Sequence, residues 1–89
     1  MAGFQGMDVT AVRSLSNQMN HSADQIDQLM KQLTNSLNST DWRGPDREQF
    51  LNNWQSQHVA QLNNVCNGLR EASQTANRNA NEQESASGH

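Results

Sequence analysis

The sequence predicts an all-α fold, an antiparallel helix-turn-helix hairpin of two long helices that dimerises into a four-helix bundle. Three observations carry that expectation. Apolar residues recur at helical spacing on both sides of mid-chain, the one strong break between them falls at Gly44-Pro45, and the apolar stripes are wider than a single hairpin covers.

The first helix is expected over about residues 8–38. Val12, Leu15, Met19, Ala23, Ile26, Leu29, Met30, Leu33 and Leu37 follow the i, i+3, i+4, i+7 pattern of an amphipathic helix. Asp8 suits the N-cap, where its carboxylate can accept from a free backbone N–H. No Gly or Pro interrupts the chain between Asp8 and Arg43. About 30 residues rising ~1.5 Å each make a rod of roughly 45 Å, too long to hold its shape alone in water.

Residues 39–44 read as the turn, because Ser39, Thr40 and Asp41 compete for backbone hydrogen bonds and Gly44-Pro45 forces a change of direction. The second helix is expected over about 45–78. Pro45 fits the first helical position, where its missing N–H costs nothing, and Asp46 and Glu48 set negative charge against the positive end of the helix dipole. Its stripe runs Phe50, Leu51, Trp54, His58, Leu62, Val65, Leu69, Ala72, Ala76. The folded unit is expected to span 1–80, with 81–89 a flexible tail lacking any apolar period.

Folding the chain back at the turn pairs Leu37 with Phe50, Leu33 with Trp54, Leu29 with His58, Ile26 with Leu62, Met19 with Leu69, Leu15 with Ala72 and Val12 with Ala76. The near-constant sum of residue numbers is what antiparallel helices of equal rise require. Beside that seam, Ala23, Met30 and Leu37 on one helix and Leu51 and Cys66 on the other widen the band. A second hairpin is expected to cover that flank.

Composition sets limits on function. The chain has 89 residues, six Lys plus Arg against nine Asp plus Glu, and a formal charge of −3. Scattered cations form no basic stripe, which argues against nucleic acid as a partner. Cys66 is the only cysteine, so no internal disulfide forms, and His21, His58 and His89 lack zinc spacing. No cofactor or metal is expected. No nucleophile setting, Gly-rich phosphate loop or convergent carboxylates are recognisable, so no enzymatic activity is expected either. Hydrophobic residues make up 33%, while 12 Asn and 11 Gln solvate the outer faces or set partner choice through bonds a wrong partner leaves unmade.

His58 stands in the stripe where hydrocarbon belongs. It is read as bonded to a carboxamide across a seam or, if buried, as a group whose protonation would oppose folding in acid. Cys66 reads as a small buried hydrophobe, or as an inter-subunit disulfide if it lies on a dimer axis. Asp27 and Lys31 form an i,i+4 pair on a wet face. No apolar run approaches the ~20 residues that span a bilayer. The N-terminus lacks the charged and apolar regions of a secretory signal.

Trp42-Arg43-Gly44 at the turn, followed by Pro45-Asp46 and then Phe50 and Trp54, resembles the WXG family of small helical hairpins exported by type VII secretion systems, the ESAT-like proteins. The resemblance covers most of the chain. It implies a hairpin that homodimerises, or heterodimerises with another WXG-type hairpin, folds in the cytoplasm and is secreted without a cleaved signal by an ATPase-driven membrane machine. Trp42 and Gly44 are then the turn motif. The family's Tyr-X-X-X-Asp/Glu export signal has no counterpart here, since the chain has no Tyr and no aromatic residue after Trp54. The secretion ATPase is therefore expected to be contacted through a partner. Two rival readings are a membrane-active secreted effector, opposed by carboxamide-rich polar faces and net negative charge, and a cytosolic helical adaptor that is not exported.

Overall fold

A computed structural model describes residues 7–87 of the chain. They are all-helical and hairpin-like. Helix α1 covers Val9–Ser39; a second arm comprises α2 (Pro45–Asn53), a π-helical turn (Trp54–His58) and α3 (Val59–Ser87). The molecule is a rod of 66 × 17 × 14 Å.

Capping fixes where the arms begin. The Asp8 carboxylate accepts from the Ala11 N–H at 3.0 Å, satisfying one donor that the first helical turn leaves free. α1 ends where Thr40 turns extended and its N–H returns to the Ser36 carbonyl at 2.9 Å. Gly44 then adopts φ +121°, a conformation that costs an L side chain on the order of 1–3 kcal/mol. Its carbonyl receives the N–H groups of Arg47 and Glu48, with Pro45 as the first residue of α2. Gly44 is thus fixed by backbone geometry, since a Cβ there would meet nothing within 4 Å.

The arms meet along a row spaced every seven residues. Ser16, Ala23 and Met30 are buried on α1, and Cys66, Ser73 and Ala80 on α3. The Ser16 hydroxyl donates to the Ser73 carbonyl at 2.9 Å and lies 2.6 Å from the Ser73 hydroxyl. The Cys66 thiol donates to the Ala23 carbonyl at 3.5 Å. Contacts from side chain to opposing backbone at these lengths are available because the row is mostly Ala, Ser and Cys, which let two helices approach closely. Both buried serines are hydrogen-bonded, and no buried side-chain polar atom among the described residues lacks a partner, as a dry seam requires.

The inner row differs from the expected one by a rotation of both helices. Ala23, Met30 and Cys66, assigned from sequence to the flank a second hairpin covers, lie inside. Leu15, Leu29, Leu33, Phe50, His58 and Val65, assigned to the seam, are exposed; Val12, Met19, Ile26, Leu37, Leu51, Trp54, Leu62 and Leu69 are half-buried. Close approach decides the matter: a row of leucines would hold the helices apart, whereas the small row brings the backbones together and lets the larger side chains straddle the edge.

A second difference lies at the C-terminal end. Residues 81–87, expected to fray, continue α3: Ala80 is fully buried, and Arg13 binds both Asn81 and Glu84 at 2.6 and 3.0 Å. Residues 88–89 lie outside the described residues.

Candidate functional site

The site these residues build is a surface, and helical geometry defines it. From each inner-row residue, steps of +3 and −1 turn one way about the helix axis, and steps of +4 and +1 turn the other. Because the arms are antiparallel, equal steps fall on the same side of the pair. One side therefore carries Met19, Ile26, Leu33, Leu15 and Leu29 from α1 with Leu62, Leu69, Ala76, Val65 and Ala72 from α3. The other carries Arg13, Asp24, Asp27, Lys31, Thr34 and, from α3, Asn63, Arg70, Asn81 and Glu84.

Contacts agree with that division. On the polar side Arg70 binds Asp24 at 2.9 Å, Arg13 binds Glu84 at 3.0 Å, and Lys31 binds Asp27 at 3.0 Å. These pairs are exposed and each is worth under ~1 kcal/mol, so their effect is chiefly to fix register. A shallow groove of mixed lining lies beside them, where Met30 and Val59 meet Asn35, Gln55 and Asn63.

The apolar side is mostly hydrocarbon, with the Ser22 hydroxyl set among its leucines and His58 toward the tip. Leu15, Leu29, Leu33 and Val65 are 51%, 57%, 52% and 51% exposed. Between Val12 and Ser36 on the first arm, and between His58 and Ala76 on the second, no Asp, Glu, Lys or Arg faces this side; its rim is Gln18, Gln25, Gln32 and Gln61. Full burial of a leucine stabilises by ~1.5–3 kcal/mol, so each half-exposed leucine leaves roughly 1 kcal/mol unrealised. Apolar strips of this length are uncommon on monomers.

The π turn fits Trp54 to this surface. Counting seven residues back from Val59 along the inner row reaches Asn52, which is exposed; Leu51 and Trp54 are half-buried instead. One turn carrying an extra residue, closed by the Val59 N–H on the Trp54 carbonyl, swings the apolar residues of α2 toward the first arm. The Trp54 indole N–H donates to the Thr34 hydroxyl at 2.8 Å, and that hydroxyl donates to the Met30 carbonyl at 2.8 Å. Trp54 also forms a groove with His58, Gln61, Leu62 and Val65 on the apolar side, its ring 6.1 Å from that of His58. His58 is exposed, so the buried imidazole that a pH-sensitive fold needs is not formed within the chain.

Gly68 is the feature that sequence reasoning passed over. A mid-helix glycine costs roughly 0.5–1 kcal/mol relative to Ala. A Cβ there would meet nothing within 4 Å, so nothing inside the chain requires its absence. Gly68 borders the apolar side, in line with Ala72 and Ala76 at successive steps of four. At the tip, the rings of Trp42 and Phe50 pack with centroids 5.7 Å apart and planes tilted by 49°, 37% and 41% exposed.

Among the described residues no three of His, Cys, Asp and Glu converge on a point that could hold a metal ion, and no helix is long and apolar enough to cross a membrane. No family model, no curated protein and no solved structure matches the chain.

Proposed function

We propose that the chain is a non-enzymatic interaction protein of the WXG type, a type VII secretion substrate or co-secreted partner that acts by dimerising into a four-helix bundle and being recognised for export. The observation that carries this reading is the charge-free apolar side of the rod, with Leu15, Leu29, Leu33 and Val65 about half exposed. Such a side is stabilised by a second pair of helices laid along it. Trp42 and Gly44 at the tip support the family assignment, Gly44 through its positive φ and Trp42 through its part-exposed, tilted contact with Phe50. With no Tyr in the chain, contact with the secretion ATPase falls to another chain bearing the aromatic tail residue, because a short tail docking in a groove draws most of its affinity from such an anchor.

The test is secretion from a host with a type VII system, expressing the chain alone or with a co-encoded hairpin that carries a Tyr-X-X-X-Asp/Glu tail. The expected result is retention in the cell alone and appearance in the medium, uncleaved, with the second hairpin. Efficient export alone overturns the assignment of the signal to another chain; retention in both cases overturns the export reading.

A further inference from the structure

The second arm is fastened to the first in two different ways. α3 buries Cys66, Ser73 and Ala80, α1 buries Ser16, Ala23 and Met30, and hydrogen bonds cross this seam from Ser16 to Ser73 and from Cys66 to Ala23. α2 buries no residue. One hydrogen bond, from the Trp54 indole to the Thr34 hydroxyl at 2.8 Å, ties its C-terminal end to α1. Between that bond and the turn, no hydrogen bond or ion pair among the described residues joins α1 to α2. At its other end α2 starts from Gly44, which offers no side-chain cap and whose carbonyl receives the Arg47 and Glu48 N–H groups at 3.2 and 3.4 Å. Its nine residues are too few to hold a helix alone in water, where even about 12–15 are marginal.

The π turn lies between these two units. Its bond runs from the Val59 N–H to the Trp54 carbonyl, one residue further than in an α-helix. The Ser56 hydroxyl donates to the Asn52 carbonyl at 2.6 Å, a side-chain bond of the kind that bends helices. Such turns are rare and recur at functional sites. If the chain ran back from Val59 as plain α-helix, Trp54 would point about 140° away from the inner row, and Asn52 would stand opposite Leu37 in place of Leu51. The extra residue turns α2 by about 100° and brings Trp54 to Thr34. Fastened and plain-helical are therefore two registers of one segment. What favours the fastened one is a single hydrogen bond and the half-burial of Leu51 and Trp54.

We infer that α2 is a tip that opens by itself, with the Trp54–Thr34 bond as its latch and the π turn as its hinge. Release lets the turn relax to α-helix and rotates α2 by about one residue, about 100°, while the seam between α1 and α3 stays shut. In the released register Trp54 leaves the first arm for the outer face. The rod thus shows or hides a tryptophan without parting its arms. The device lies within one chain, so it stands whether or not that chain is exported.

Amide hydrogen exchange of the full chain at one fixed concentration, read residue by residue, tests this. The amides of residues 49–53 are expected to be protected about a hundredfold less than those of residues 62–73. Ser16→Ala weakens only the seam, so it is expected to speed the α3 amides about tenfold and to leave those of α2 unchanged. Thr34→Val removes the acceptor of the latch and destabilises the closed state from which every opening starts, so both sets are expected to speed about fivefold. Deleting Gln57 leaves the bond from the Val59 N–H to the Trp54 carbonyl as an ordinary helical one with Trp54 still at Thr34, and is expected to slow α2 exchange about tenfold. Equal protection of the two sets in the unaltered chain, or α2 amides that speed in step with α3 in Ser16→Ala, overturns the separate opening. Exchange in α2 that is indifferent to Thr34→Val overturns the latch, and α2 exchange that is unchanged or faster without Gln57 overturns the hinge.

Discussion

On α1, Ser16, Ala23 and Met30 are buried, while Leu15 and Leu29, one residue earlier in the chain, keep half their surface in water. The two rows differ by a rotation of about 100°, and they are built on opposite principles. The inner row gives up apolar area in exchange for closeness, filling the seam with small side chains and three short cross-arm contacts. The flank keeps the large hydrocarbons and leaves them unfinished. The lesson is that the most hydrophobic row of a helix is not always the one its own chain buries; where an inner row is small, the larger row beside it is the one on offer.

Substitutions can break that contrast. Ala23 is fully buried, so Ala23→Leu inserts volume where the backbones are closest and is expected to cost ~1–3 kcal/mol or more. Chemical denaturation of the monomer at low concentration checks this; an unchanged midpoint would mean that the seam is not tightly packed. Thr34→Val removes the acceptor for the Trp54 indole at the tip end of the seam. The expected loss is ~1 kcal/mol, with a change in tryptophan emission as the direct readout.

The flank is expected to behave in the opposite way. Leu29→Ser should lower monomer stability by under ~1 kcal/mol, since more than half of that side chain already faces water, while weakening association strongly in sedimentation. A large monomer defect with association intact would reverse the roles of the two rows. The smallest effect is expected on the polar side, where Arg70→Ala breaks an exposed pair with Asp24 for ~0.5 kcal/mol or less, and less still in high salt.

How far the sequence could be read follows from the same contrast. The two arms, the turn, the Asp8 cap and the place of Pro45 were legible because periodicity and capping are local properties of the chain. The inner row was not, because Ser16 and Ser73 do not register as apolar and the choice between adjacent rows depends on how close two backbones come. The continuation of α3 through Ser87 was hidden for a similar reason: Ala80 and the Arg13 contacts to Asn81 and Glu84 are long-range. The π turn left no signal in the spacing of Trp54 and His58, which reads equally well as an ordinary helix. Of the surface itself, the width of the apolar band was legible and its orientation was not.

Cys66 turns the seam into something that can be watched. Its thiol is buried and bonded to the carbonyl of Ala23, so an alkylating reagent reaches it only when the arms part. The rate at which the unaltered protein takes up a label is then a clock for its own opening, and any companion that clamps the rod shut will slow that clock without touching the sulfur.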